Sequence, residues 1–320
     1  MDPLVSIVTP VFNGEKYLGE CIKSVMDQTY SNWQYVIVNN KSEDGTLAIA
    51  QKYAGRDSRI KVISNVELLP VMENFNYSIG KISPNSIYCK IICADDWIYP
   101  EFLSQMIELA QQNPKIGIVS SYRLHGDTIV PTEGMPYRKI FFSGHEMGRM
   151  NLLNGPYTFG SPTALLYRSE VVLSKSKFFN EKRTSGDTEA CYETLKKWDF
   201  GFVPQILSFN RLHEKSVTST SEYLKTNYPD HLYMLKKFGD SFLEKDEQRC
   251  RMNGLLKEYY RFLGRNPARF NDKQFLAYHK KSFENIGLKL DLKKVIWSFL
   301  IEGAKYLFLK IPKVVLRGRP

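Results

Sequence analysis

Short apolar runs alternate with stretches of helical periodicity over the first two thirds of the chain. Leu4 to Thr9 is apolar and β-branched and is ended by Pro10, which predicts a first buried strand. Asn13-Gly14 turns the chain, and Tyr17, Leu18, Cys21, Ile22, Val25 and Met26 then recur at helical spacing. Trp33 to Val38 predicts a second strand, a polar loop through Asn39, Asn40 and Thr46 follows, and a helix runs through Tyr53. Ile60 to Ser64 and Ile87 to Cys93 read as strands three and four, separated by a helix over Val71 to Ile79. Alternating βαβα order implies an α/β fold, a parallel sheet with helices on both faces.

The rhythm continues through a helix containing Phe102, Leu103, Met106, Ile107 and Ala110 and a strand over Ile116 to Tyr122, and then breaks. Residues 123–162 carry several Gly and Pro and one helical patch, Glu146 to Leu153, as a segment that builds the mouth of a site does. Beyond it, Thr163 to Tyr167 is strand-like, and Asp187 to Lys197 is helical with Ala190, Cys191, Thr194 and Leu195 as its inner face. Phe200 to Val203 and Ile206 to Asn210 read as two short strands ending at Arg211-Leu212-His213. The remainder is mainly helical, so the chain divides into an α/β domain over 1–219 and a helical region over 220–320.

The last predicted helix, near 290–311, sets Leu292, Val295, Ile296, Phe299, Leu300, Gly303, Tyr306 and Leu307 on one face, opposite Lys293, Lys294, Glu302 and Lys305. A basic amphipathic helix that also carries Trp297 suits the plane of an anionic membrane surface. Packing against the α/β body suits the same stripe equally well.

Charge sharpens this division. Of 44 Lys+Arg and 34 Asp+Glu, residues 216–320 hold 21 and 11, leaving 23 and 23 for residues 1–215, so the whole excess of +10 lies in the helical region. A neutral body with a basic appendage points to an anionic partner, lipid or nucleic acid. Five scattered cysteines without paired spacing argue against a disulfide framework or a structural zinc site and fit a reducing cytoplasm. The N-terminus MDPLVSIVTP has no basic or long apolar leader, and nothing resembles a transmembrane span.

The candidate chemistry centres on SIYCKIICADDW, residues 86–97, a strand that stops at Ala94-Asp95-Asp96. Adjacent carboxylates at a strand's carboxyl end lie where open α/β sheets bind ligands. Two hard oxygen donors on a short turn suit Mg²⁺ or Mn²⁺ shared with a diphosphate. The plainer reading is that both Asp cap the helix that begins near Pro100.

With SIVTPVFNGEKYL, SVMDQTY, VIVNNKSEDGT and the Ala-Asp-Asp turn in this order, the chain resembles a family 2 glycosyltransferase of the GT-A fold from Val5 to about Ser219. The resemblance implies an open, mostly parallel twisted sheet, a nucleotide-sugar donor, and inverting transfer of a hexose-type sugar to an acceptor hydroxyl. By it, Pro10, Val11 and Phe12 line the nucleobase, and Asn40 stands where the family usually has an Asp, which leaves the nucleotide open with UDP as first choice. Asp95 falls on the ribose side of the metal motif and Asp96 at the direct metal ligand. Asp44 matches an acidic loop position, although turn formation and capping account for it better. The general base falls on Gly186-Asp187-Thr188-Glu189, with Asp187 favoured over Glu189 and helix capping the plain role for whichever is not the base. Arg211 and His213 match a segment that supplies a further diphosphate or metal contact; His213 is otherwise an exposed His beside Lys215. Lys90, a charge inside an apolar strand, needs a partner, either a carboxylate or the diphosphate.

This reading makes the chain a glycosyltransferase using Mg²⁺ or Mn²⁺, acting on a glycan or lipid-linked sugar in cell-surface polysaccharide synthesis. It would be cytoplasmic, peripheral on the inner face of the membrane, with no nucleic-acid partner. A nucleotidyltransferase or dinucleotide oxidoreductase would carry a glycine-rich phosphate loop after the first strand, which Pro10-Val11-Phe12-Asn13-Gly14 is not. The alternative from another class is an inactive scaffold that binds membrane or nucleic acid through its basic tail.

Overall fold

The chain, seen in a computed structural model that describes residues 2–132, 134–214 and 217–309, forms two compact units, Met1–Ser216 and Val217–Pro320. In chain order the first unit contains β1 (Val5–Val11), α1 (Leu18–Met26), β2 (Trp33–Asn39), α2 (Thr46–Ala54), β3 (Ile60–Ser64), α3 (Val71–Ile79), β4 (Tyr88–Ile91) and β5 (Trp97–Ile98). There follow α4 (Phe102–Gln112), β6 (Ile116–His125), β7 (Thr128–Val130), β8 (Phe141–Phe142), α5 (Gly144–Leu152), a 3₁₀ turn (Pro162–Ala164), β9 (Leu165–Arg168), α6 (Ser169–Leu173), α7 (Gly186–Leu195) and β10 (Asp199–Asn210).

The strands form one sheet in the order β3-β2-β1-β4-β9-β6-β10-β5, with β7 on β6 and β8 on β10. β1 to β4 run parallel, β9 is antiparallel between β4 and β6, and β10 is again parallel to β6. Side-chain alternation divides the core between two faces. On one, Val5, Ile7, Trp33, Tyr35 and Ile37 pack with Leu18, Ile22 and Val25 of α1, Ala50 of α2, and Phe102, Leu103 and Met106 of α4. On the other, α3 lies on β1 and β2, and Tyr167 of β9 meets Phe178 and Cys191 of α7. Burying each large side chain of α4 contributes roughly 1.5–3 kcal/mol, which anchors the helix that follows the Asp95-Asp96 turn.

Three sequence expectations change. Pro10 does not end β1, which continues to Val11. Val8 turns its carbonyl to β4, where it accepts from Ile92, and Pro10, two residues on, faces the same side beyond the end of that ladder. Its missing N–H therefore costs no sheet bond. The two short strands predicted over 200–210 are the single strand β10: Val203 lies opposite Ser121 and Ile206 opposite Tyr122, so the exposed Pro204 and Gln205 are accommodated as an irregularity. Finally, the mouth region contributes β7 and β8, too short for periodicity to register.

The second unit consists of α8 (Val217–Leu224), α9 (Asn227–Phe242), α10 (Lys245–Arg265), a 3₁₀ turn (Pro267–Asn271), α11 (Lys273–Asn285) and α12 (Leu292–Leu309). Glu244 and Glu247 form a reciprocal capping box that starts α10, and Asp272 caps α11 by accepting from the Gln274 and Phe275 amides. α12 packs on α10: Val295 is buried, and a Cβ on Gly264 would lie 2.7 Å from the Phe299 nitrogen. Glu302 is not opposite this contact, as the pattern suggested, but binds Arg265 at 2.6 Å and Arg261 at 3.8 Å on α10. Leu292, Ile296, Trp297, Phe299 and Leu300 remain exposed. The side chains at 303–309, including those of Gly303, Lys305, Tyr306 and Leu307, and residues 310–320 lie outside the described part. Among the described residues no helix is long and apolar enough to cross a membrane.

Candidate active site

β4 ends at Ile91, and the turn that follows carries Cys93, Asp95 and Asp96. Two segments distant in sequence, 161–163 and 210–211, converge on Asp96. Its Oδ2 accepts from Thr163 Oγ1 at 2.6 Å, Asn210 Nδ2 at 2.6 Å and Ser161 Oγ at 3.3 Å, and its Oδ1 accepts from the Arg211 amide at 2.9 Å. Only 5% of Asp96 is exposed. Burial first, and the neighbouring Asp95 charge second, push its carboxyl up to about 6 in spite of these donors. Oδ2 is saturated, whereas Oδ1 retains acceptor capacity beyond its one amide bond.

Asp95 is the more accessible carboxylate. Its Oδ2 lies 2.9 Å from His213 Nε2, and 32% of its side chain is exposed. Arg211 bonds the Asp95 carbonyl through Nε at 3.0 Å, pairs with Glu20, and lies 4.5 Å from the centre of the Tyr17 ring. His213 leans on the same ring at 5.2 Å. Arg211 therefore clamps the turn from the end of β10.

The ligand atoms of Cys93, Asp95 and Asp96 all lie within 4.8 Å of one another. Burial, followed by the Asp96 and Asp95 charges, pushes the Cys93 thiol well above its usual range, and its soft sulfur suits Mg²⁺ or Mn²⁺ less well than oxygen does. What remains is two carboxylates and an imidazole. That donor set fits a hard or borderline divalent ion such as Mg²⁺ or Mn²⁺.

Lys90 reaches neither a carboxylate nor the open edge. Wholly buried in β4, its ammonium donates to the carbonyls of Thr163 and Leu165, the latter at 3.1 Å, and sits 3.9 Å from the centre of the Phe102 ring. It thereby ties down the 3₁₀ turn that presents Thr163 to Asp96. Burial pulls its pKa well below the usual lysine value.

At the carboxyl ends of β1 and β2, Pro10 and Val11 are buried and Phe12 is 49% exposed, an aromatic face at the sheet edge. Asn40 is buried, and its amide is spent on the neighbouring loop: Oδ1 accepts from Leu69 N and Asn65 Nδ2, and Nδ2 donates to the Leu69 carbonyl. Its acceptor oxygen is thus occupied within the protein, and one N–H remains for a ligand. Asp44 accepts from the Thr46 amide and hydroxyl and from the Glu15 amide, a loop-building role.

The start of α7 repeats the contrast seen after β4. Glu189 is 5% exposed, and both its oxygens accept from Asn180 Nδ2, at 3.1 and 3.0 Å. Asp187 is half-buried, and its Oδ1 accepts from the Thr188 amide at 2.7 Å. Thr188 bonds Tyr157 of the mouth region at 2.8 Å.

Ser161, Thr163, Asn210 and Lys90 thus all support Asp96, directly or through one another. Of these only Lys90 carried a sequence signal, a charge in an apolar strand, because Ser, Thr and Asn are unremarkable wherever they fall.

Residues 6–173, just over half of the chain, match the glycosyl transferase family 2 profile, and the chain belongs to that family. Glycosyltransferase GlyG of Streptococcus pneumoniae is 24% identical, with 91% of this chain and 96% of that protein covered. An uncharacterized glycosyltransferase of Haemophilus influenzae is 32% identical over 120 residues, 38% of this chain and 36% of that protein. The match thus spans about a third of the H. influenzae protein and nearly all of GlyG. Among solved structures, Staphylococcus aureus TarS 1–349 in complex with UDP-GlcNAc superposes with a TM-score of 0.63 at 17% identity over 88% of this chain and 79% of that one. Mannosyltransferase PcManGT of Pyrobaculum calidifontis, solved with GDP-Man and Mn²⁺, gives 0.57 at 13% identity over 98% of this chain and 82% of its own. The fold is that of the GT-A glycosyltransferases.

Proposed function

We propose that this chain is an inverting glycosyltransferase that moves a sugar from a nucleoside-diphosphate sugar, UDP-linked in the first instance, to a hydroxyl of a glycan or lipid-linked acceptor. One observation carries the proposal: the Asp95-Asp96 turn is locked at the carboxyl edge of the sheet by β10 and the 3₁₀ turn, on a chain of the glycosyl transferase family 2. TarS, solved with UDP-GlcNAc, supports a UDP donor; PcManGT, solved with GDP-Man and Mn²⁺, supports the divalent ion.

Phe12 offers its ring to the base, beside the wall made by Pro10, Val11 and Asn40. Asp95, Asp96 and His213 would hold Mg²⁺ or Mn²⁺, which when bound neutralises charge on the departing diphosphate. Arg211 keeps the turn in place and adds positive charge beside it. Asp187, the more accessible carboxylate of its pair, takes the proton from the acceptor hydroxyl as that oxygen attacks C1. Glu189, buried against Asn180, secures the first turn of α7.

Ligands that bind only the folded state raise its melting temperature by mass action. A thermal-shift screen against UDP-, GDP-, TDP- and CMP-sugars, each with Mn²⁺, Mg²⁺ or EDTA, tests the donor and the ion together. Stabilisation by one nucleotide that disappears in EDTA is the expected result; no shift with any of them rejects the reading.

Peripheral membrane association belongs to the same proposal. It is supported by the exposed Leu292, Ile296, Trp297 and Leu300 of α12, beside Lys257 and Lys294, which line a cleft of about 280 Å³ between α10 and α12 together with Trp297 and the Arg261–Glu302 pair. Ile296→Ser with Trp297→Ser should reduce sedimentation with anionic vesicles. Unchanged sedimentation would remove the membrane from the picture.

A further inference from the structure

The site holds a buried cation that neither the metal turn nor the acid-base pair uses. Arg123 lies on β6, opposite Ser208 of β10 and two residues before the end of its strand. Although it is 96% buried, at 4% exposure, its Nε and Nη1 have no hydrogen-bond partner among the described residues. Native proteins rarely leave a guanidinium this way, because desolvation without an acceptor costs several kcal/mol. Two such N–H groups on one guanidinium call for an acceptor that the described residues do not supply.

Its surroundings indicate what is missing. The guanidinium rests on Gly160, where an added Cβ would fall 2.0 Å from both Cζ and Nη2, so only glycine leaves room for it. The next residue, Ser161, donates to Asp96; on the other side the Tyr157 ring centre is 6.0 Å away, and Tyr157 bonds Thr188 beside Asp187. The carboxylates whose charge reaches Arg123 are Asp96 and Asp187. Arg123 is thus linked through Gly160 and Ser161 to the group assigned to the metal-bound diphosphate, and through Tyr157 and Thr188 to the turn that carries the group assigned to the attacking hydroxyl. In a glycosyl transfer the sugar itself lies between those two groups.

We propose that Arg123 is a specificity-determining residue that donates its unpartnered N–H groups to acceptor oxygens of the transferred sugar, in a slot that Gly160 keeps open. The inference rests on the donor reading above. Acceptor oxygens come from the carboxylate of a uronate or from the hydroxyl and carbonyl oxygens of a neutral sugar, and the test distinguishes these sources.

Calorimetric titration with Mn²⁺ compares UDP, UDP-glucuronate, UDP-glucose and UDP-N-acetylglucosamine, or the corresponding GDP compounds if the screen selects GDP. Arg123→Met removes the donors while retaining length, and should leave the melting temperature unchanged or raised, since a buried charge is replaced by an apolar chain. Affinity for the bare nucleotide should stay within about twofold, while affinity for the preferred sugar nucleotide falls about 10- to 100-fold, the range for a charged hydrogen bond. Gly160→Ala, which keeps the arginine but forces its guanidinium out of the slot, should reproduce the selective loss. A loss confined to UDP-glucuronate identifies a carboxylate; a loss for the neutral sugars identifies hydroxyl or carbonyl oxygens. Equal weakening of nucleotide and sugar nucleotide, or no change in either, overturns the role of Arg123 and leaves the transferase reading standing. A wild-type chain that binds none of the nucleotides brings down both.

Discussion

The turn after β4 and the first turn of α7 each carry two carboxylates, and in each the fold treats them differently. Asp96 and Glu189 are each 5% exposed and held by protein donors, whereas Asp95 and Asp187 are partly open. Asp95 and Asp96 keep ligand oxygens within 4.8 Å of one another in spite of this difference, whereas residues two apart on a helix point about 200° apart, so Asp187 and Glu189 cannot face one ligand together. Under the proposed function Asp96 shares the ion with the more exposed Asp95, and Asp187 takes the acceptor proton. The two regions differ in what secures them. Asp96 is gripped from two distant segments, Glu189 by Asn180 nine residues away. A metal and diphosphate demand a rigid anchor, while a general base needs reach.

Exchanging the two members of each pair tests this division most directly. Asp187→Asn should lower turnover by about 10² to 10⁴ with nucleotide affinity nearly unchanged, whereas Glu189→Gln should act mainly on stability. Steady-state kinetics alongside nucleotide titration separates these, and weakened nucleotide binding at normal turnover would reject Asp187 as base. At the other pair, Asp96→Ala should destabilise by about 3 kcal/mol, because the Thr163, Asn210 and Arg211 donors lose a buried partner. Asp95→Ala should leave the melting temperature almost unmoved yet abolish the EDTA-sensitive part of nucleotide binding. If Asp95→Ala lowers the melting temperature as far as Asp96→Ala does, the contrast between anchor and ligand fails.

Lys90→Met probes the layer beneath. Leaving the Thr163 and Leu165 carbonyls bare should cost about 1–2 kcal/mol, less than Asp96→Ala, and loosen the 3₁₀ turn. Denaturant unfolding reads the first effect, and a drop in metal-dependent nucleotide affinity reads the second. Smallest of all, Asn180→Ala should cost about 1 kcal/mol and shift turnover only slightly, since Asp187 does not bond Asn180. A turnover loss that matched Asp187→Asn would make Glu189 the base.

Periodicity and punctuation alone made much of this architecture legible. The third strand at Ile60–Ser64 and the helix at Val71–Ile79 coincide with their predicted bounds, and the inner face of α7 is the one its apolar spacing indicates. These are local properties: alternation, helical repeat and turn residues act over a few positions. The ordered motifs from Val5 to the Ala-Asp-Asp turn also carried the family, and with it the candidates Asp95 and Asp96. Three-dimensional packing decided which carboxylate of each pair is buried, that Asn40 spends its acceptor on Leu69 and Asn65, and that Lys90 serves the turn holding Thr163. It alone brought Asn210 to Asp96 across 114 residues and set Arg123 on Gly160 without an acceptor. Burial and hydrogen-bond saturation depend on which segments meet at the sheet edge, and residue type at one position cannot encode the partner that a distant strand supplies.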